Sequence, residues 1–142
     1  MPDVNVLVAA FRTDDPQHGL VKGWLERALN GPEVVGLSDS VATGFVRVVT
    51  HPRIFAKPTP PDQAVAQLES LWSADGLVRL APGRSFPVVF ARLCREVDAK
   101  GDLVAEAAHA AAAIEAGATW VSLDRDFARF PGLSWSVPRE SG

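Results

Sequence analysis

Asp3 and Asn5 stand two residues apart near the start of the chain, and Glu106 lies inside a long alanine-rich stretch. Asp124 and Asp126 follow directly on the apolar run 119–123, and Ser38 and Asp39 follow the run 34–37. Carboxylates gathered from separate segments repel one another unless bases or a cation offset them. A divalent ion removes that cost, and an all-oxygen donor set suits Mg2+ or Mn2+ better than zinc. An ion held in this way activates one water and clamps a phosphate, the arrangement used for phosphodiester cleavage. Asp102, Glu106, His109, Ala110 and Ala113 are spaced four, three, one and three apart, so one helical stripe carries them all. A carboxylate in the middle of so narrow a helix is costly where the helix is buried, unless something pairs with it.

Each of these residues also has an ordinary reading. An aspartate at a strand end is more often a turn or cap residue. Asp39 suits the first turn of a helix, where it offsets the dipole. Asp124 can cap the turn in DRDFARF, and Asp102 can cap a helix after Lys100 and Gly101. Glu106 resists such a reading best, because its helical neighbours are nearly all alanine. His109, one turn beyond it, has a helix-face hydrogen bond as its ordinary role. The single cysteine, Cys94, lies among Phe90, Leu93 and Val97 and reads as a core thiol. One thiol makes neither an internal disulfide nor a thiolate zinc site.

The elements that must position these residues alternate in period. Short apolar runs occur at 4–8, 34–37, 77–80 and 119–123, with a fifth at 133–137. Between them lie amphipathic helices. One opens at Asp15 and Pro16 and closes at Gly31, a second is capped by Ser38, and a third opens at Pro61. Helices at 86–97 and 103–116 follow, with Gly117 placed to end the last. Strands alternating with helices predict a three-layer α/β/α fold around a mostly parallel sheet of four to five strands. Ligands of such sheets bind beyond the carboxyl ends of the strands. Asp3 and Asn5 are expected at the start of a first strand, on one side of it.

The chain has 142 residues, 47% of them hydrophobic and 22% charged, with 17 acids against 14 bases. It is therefore sized for a single domain, 1–142. The net charge of −3 excludes holding nucleic acid by overall charge and leaves room for a local patch. Arg12, Arg47, His51, Arg53 and Lys57 are the bases for such a patch, with Phe55 as a stacking platform. A solvated face or a protein-binding surface fits the same residues. The segment 50–61 is proline-rich and basic and reads as an ordered loop. No secretory leader opens the chain, and Glu106, His109 and Glu115 interrupt its most apolar stretch, so an intracellular, soluble protein is expected.

Three stretches, DVNVLVAAFR, GFVRVVTHPRIF and LVAEAAHAAAAIEAGATWVSLDRDFARFPGLSW, resemble the PIN domain, specifically the VapC-type toxins of bacterial toxin–antitoxin pairs. The match runs from Asp3 to about Trp135 in family order. The resemblance implies an endoribonuclease dependent on Mg2+ or Mn2+, a cytoplasmic location, an inhibitory antitoxin and a homodimer. It also implies roles for individual residues. Asp3, Glu106 and Asp124 would hold the metal directly or through water, with Asp102 and Asp39 as further candidates. Asp126 would be an outer ligand or orient the attacking water, and Asn5 would fix Asp3. Arg12, Arg47, His51 and Arg53 are the candidate substrate contacts.

The sequence departs from the family in three places. Gly44 stands where the second helix usually carries a glutamate, and glutamate stands at 106 where aspartate is usual. Only Met1 and Pro2 precede the first acid, so either the start is trimmed or the central strand is weak. The Gly44 departure keeps open an alternative, a PIN-like module that binds RNA or protein with little catalysis. A receiver-type domain, which also gathers acids around Mg2+, fits poorly. Its third strand would end in aspartate, and here that strand runs into LVRLAPG.

Overall fold

The computed structural model describes residues 1–141. The chain runs α1 (Val4–Phe11), α2 (His18–Asn30), β1 (Val35–Ser38), α3 (Asp39–Val49), α4 (Pro61–Trp72) and β2 (Leu77–Leu80). It continues with α5 (Phe86–Glu96), α6 (Asp102–Glu115), β3 (Trp120–Val121), a 3-10 turn over Arg125–Arg129 and β4 (Trp135–Ser136). Strand pairing is parallel throughout. β1 pairs with β2, β3 pairs with β4, and Pro2 bridges to Val121. Helix α1 packs on α2 and α3, α3 carries α4, and α5 packs on α6. With the strands, these two helical groups make the three-layer α/β/α arrangement. Among the described residues, no helix is long and apolar enough to cross a membrane.

Most sequence signals act where expected. The Ser38 hydroxyl caps α3 by accepting the Val41 N–H at 3.2 Å. Pro61 opens α4 as its first residue, Gly31 is the C-cap of α2, and Gly117 leaves α6 with a positive φ of 63°. Helix α6 buries Ala107, Ala110, Ala111 and Ala113 completely, so the small side chains let it lie close to its neighbours.

The first strand is a correction. Residues 4–8 are helical, and the strand shrinks to Met1 and Pro2. An all-apolar run of this length satisfies a buried strand and a buried helix equally, and periodicity does not separate them. Asp3 decides the case, since its carboxylate accepts the Val4 N–H at 2.6 Å and starts the helix. The unfavourable helix propensity of valine amounts to only a few tenths of a kcal/mol per residue. Complete burial of Val6 and Leu7 outweighs it at roughly 1.5–3 kcal/mol per side chain.

The single sheet of four to five strands is also modified. The described residues form two parallel pairs of strands, with the Met1–Pro2 segment laid against β3. That segment makes three bonds to the β3 region, the Met1 amino group to the Thr119 carbonyl, Val121 N–H to the Met1 carbonyl and Asp3 N–H to the Val121 carbonyl, each 2.8 Å. Pro2 has no N–H to offer a further neighbour.

Candidate active site

The short central strand delivers Asp3 to the carboxyl end of β3. Its main-chain bond to Val121 sets it beside Ser122, the first residue past that strand. Asp3 is only 8% exposed, and Ser122 is fully buried. The Ser122 hydroxyl donates to Asp3 Oδ2 at 2.7 Å and accepts the Asp124 N–H at 3.0 Å. Asn5, in the first turn of α1, closes the cluster. Its amide donates to Asp3 Oδ2 at 3.3 Å and to Ser122 Oγ at 3.1 Å, and its carbonyl accepts the Leu123 N–H at 3.1 Å. Asn5 thus hydrogen-bonds Asp3, with Asp3 as the N-cap and Asn5 inside α1, and the two are not strand neighbours.

Asp124 caps the 3-10 turn, its Oδ1 accepting the Asp126 N–H at 2.9 Å. The ordinary reading of Asp124 thus holds for one oxygen, and Oδ2 makes no hydrogen bond within the described residues. Asp126 is exposed and lies 3.6 Å from Arg129. Helix α6 brings Glu106 to the same corner, since the ring of His109, one turn further on, stacks on buried Trp120 in β3 at 5.1 Å.

The electrostatics record the convergence. Burial raises the Asp3 carboxyl above its ordinary pKa, and Asp124 adds to the rise against the hydrogen bonds of Ser122 and Val4. Glu106 is raised by burial first and then by Asp124, with Arg129 opposing and Asp126 and Asp3 adding. Glu106 thus feels three other carboxylates, with one arginine nearby. Burial lowers the His109 pKa, and the charge of Asp3 opposes that change.

This oxygen-rich, uncompensated negative corner fits a hard divalent cation. Among the described residues, no three acidic, imidazole or thiol side chains stand at ligand spacing. The acids share one field and do not form a closed cage, which suits an ion held by one or two carboxylates and its own waters.

Other candidates lie elsewhere. Asp39 is exposed at the start of α3 and pairs bidentately with Arg79 at 2.9–3.2 Å. Asp102 is exposed in the first turn of α6. Gly44 faces α1, and a Cβ there would stand 2.9 Å from Val4 Cγ2. The usual second-helix glutamate position is thus occupied here by a close helix contact. Arg47 and Arg53 are exposed, and His51 Nδ1 accepts the Arg53 N–H at 3.0 Å. Arg12 is 8% exposed, with its guanidinium bonded to Asp14, Thr59 and the Lys57 carbonyl. Phe55 stacks under that guanidinium at 3.7 Å, which covers one face of its ring. Ser122 is the residue sequence reasoning missed. Its signal was the S-x-D spacing to Asp124, which places a hydroxyl at the strand end.

The fold agrees with the comparisons. The PIN domain family model matches residues 1–133, and the chain belongs to that family. Within it, the chain is 47% identical to the ribonuclease VapC43 of Mycobacterium tuberculosis over 136 residues, 96% of this chain and 92% of that protein. It is 41% identical to the ribonuclease VapC25 of the same species, over 92% of each chain. Among solved structures, the VapBC2 complex of Rickettsia felis bound to a promoter DNA fragment contains a chain that superposes with a TM-score of 0.73. The match covers 96% of both chains at 20% identity, a likeness of fold.

Proposed function

We propose that this chain is a divalent-metal-dependent endoribonuclease, the toxin of a VapBC-like pair, active in the cytoplasm and inhibited by a cognate antitoxin. The observation that carries this reading is the convergence of Asp3, Glu106 and Asp124, from three separate segments, on one corner where Asp124 raises the proton affinity of Asp3 and both raise that of Glu106. The ribonuclease names of VapC43 and VapC25, relatives across nearly the whole chain, support the choice of RNA.

Asp3, Glu106 and Asp124 hold Mg2+ or Mn2+, directly or through water. When bound, the cation supplies polarisation of a phosphate oxygen and a water of lowered pKa. Ser122 and Asn5 keep Asp3 Oδ2 in a fixed direction, so that carboxylate needs little reordering when it is engaged. Asp126, exposed at the rim, orients water from outside the ligand set. Arg47, His51 and Arg53 hold the RNA backbone. No side chain is required as a covalent nucleophile.

The test is cleavage of a labelled RNA pool by purified chain in EDTA, Mg2+ or Mn2+. Cleavage is expected only with an ion, and Asp3→Asn and Glu106→Gln should each lower it by about 100-fold or more. Cleavage that persists in EDTA, or an Asp3→Asn variant as active as the parent, overturns the reading.

A further inference from the structure

Between Asp39 and Asp62 the chain contains no acid, yet it carries Arg47, His51, Arg53 and Lys57. Arg47, Arg53 and Lys57 are exposed, and among the described residues none of the three takes part in an ion pair. Such bases bind a polyanion more tightly when the backbone carrying them is already ordered, because ordering a loop on binding consumes affinity. Residues 51–60 have no helix or strand to order them.

Arg12 takes that part. Its Nε and Nη2 donate to the two oxygens of Asp14 at 3.0 and 2.7 Å. Nη1 donates to Thr59 Oγ1 at 3.1 Å, Nη2 also donates to the Lys57 carbonyl at 3.0 Å, and the guanidinium plane covers the Phe55 ring. One buried side chain from the end of α1 thus touches three positions of the loop and has its own charge offset by Asp14. The loop is closed on its other side by the Thr59 N–H, which donates to the Val49 carbonyl at 2.7 Å.

We infer that Arg12 is a positioning residue for RNA binding: it holds the loop 51–59 in the shape that presents Arg53 and Lys57 to the phosphate backbone that Arg47 of α3 also holds, without touching RNA itself. The inference rests on the ribonuclease reading and deepens it.

The experiment measures binding of a fluorescent single-stranded RNA oligonucleotide in EDTA, where no cleavage occurs, across a salt series. Each phosphate contact to a single strand contributes about 0.7 to the slope of log K against log salt. Arg12→Gln removes one buried, already paired charge. It is nonetheless expected to flatten the slope by roughly 1.4, the share of the two loop contacts, and to weaken binding on the order of tenfold. The triple variant Arg47→Ala/Arg53→Ala/Lys57→Ala should flatten it by about 2. Phe55→Leu and Thr59→Val each remove one clamp contact while Arg12 keeps Asp14, and they should give smaller losses in the same direction. With Mg2+ present, the loss in these variants should fall in KM more than in kcat. Thermal melts confirm that each variant is folded.

A slope change of about 0.7 for Arg12→Gln marks a direct contact and overturns the inference. An unchanged slope in folded Phe55→Leu and Thr59→Val, or an RNA affinity indifferent to the triple variant, overturns it too. The last outcome would leave the patch to an acidic protein segment. If the parent chain binds RNA but cuts none with any ion, the ribonuclease reading fails while the slopes still decide the role of Arg12.

Discussion

Ser122 Oγ donates to Asp3 Oδ2 at 2.7 Å across 119 residues of chain, and the same hydroxyl accepts from Asn5 and from the Asp124 backbone. One buried hydroxyl therefore ties together the acid that ends the first strand, the helix that follows it and the turn carrying the next acid. Removing it should be felt in both stability and chemistry. Ser122→Ala leaves a buried carboxylate short of a donor, at a cost of roughly 1–3 kcal/mol in denaturant unfolding. Calorimetry should also show weaker divalent-ion binding, because Asp3 Oδ2 loses the strongest of its orienting bonds. A variant as stable and as tight for metal as the parent would contradict this role.

Metal-free protein should lose stability as pH rises through the carboxylate range. Asp3 and Glu106 have folded pKa values raised above their unfolded ones, so the folded state binds more protons and stability falls as they ionise. The window begins near the unfolded carboxylate values and ends above the raised folded ones. Glu106→Gln should flatten this dependence in thermal melts taken in EDTA and raise the melting temperature near neutral pH. Added Mg2+ should stabilise the parent more than this variant, since the bound ion offsets the same repulsion.

RNA cleavage should follow the opposite trend. The acids hold a cation only when ionised, so the rate at fixed ion concentration should rise with pH until Asp3 and Glu106 have lost their protons. Raising the ion concentration should shift that rise to lower pH. A rate that falls across the same interval would place the essential ionisation elsewhere.

Gly44 is expected to tolerate little. A methyl at 44 gains about 1 kcal/mol of helix propensity, and the contact with Val4 Cγ2 costs about 1–3 kcal/mol by overpacking. Gly44→Ala should therefore be neutral to mildly destabilising, with the loss appearing at the end of α1 that holds Asp3. Val4→Ala makes room, so the double variant should be more stable than the sum of the two singles implies. Additive effects in that cycle would show that the two helices are not in tight contact there.

Asp39 offers a contrast to the acids of the corner. Its carboxylate is exposed and held by exposed Arg79, a kind of pair that contributes little. Asp39→Asn should leave both the melting temperature and the metal affinity of the chain unchanged. A marked loss of metal affinity would instead recruit Asp39 to the ligand set.

The sequence by itself determined the alternation of elements, the helix caps and breakers and the acids worth suspecting. Ser38, Pro61, Gly31 and Gly117 act through local backbone chemistry that needs no partner, so their positions are legible one residue at a time. The acid at 106 was legible because a carboxylate within an alanine helix is unusual wherever the chain goes, and those at 3 and 124 because the stretches that carry them resemble the PIN domain. The tertiary structure alone decided the rest. Residues 4–8 are helical because Asp3 caps them and burial on every side outweighs the preference of valine for strands, a balance no local pattern expresses. Arg12 is buried and tied to the loop because Asp14, Thr59 and the Lys57 carbonyl reach it through space. Ser122 matters because parallel pairing of Met1–Pro2 with β3 sets it against Asp3. Long-range proximity, with the desolvation and hydrogen bonding it brings, is what turned a scatter of acids into one site.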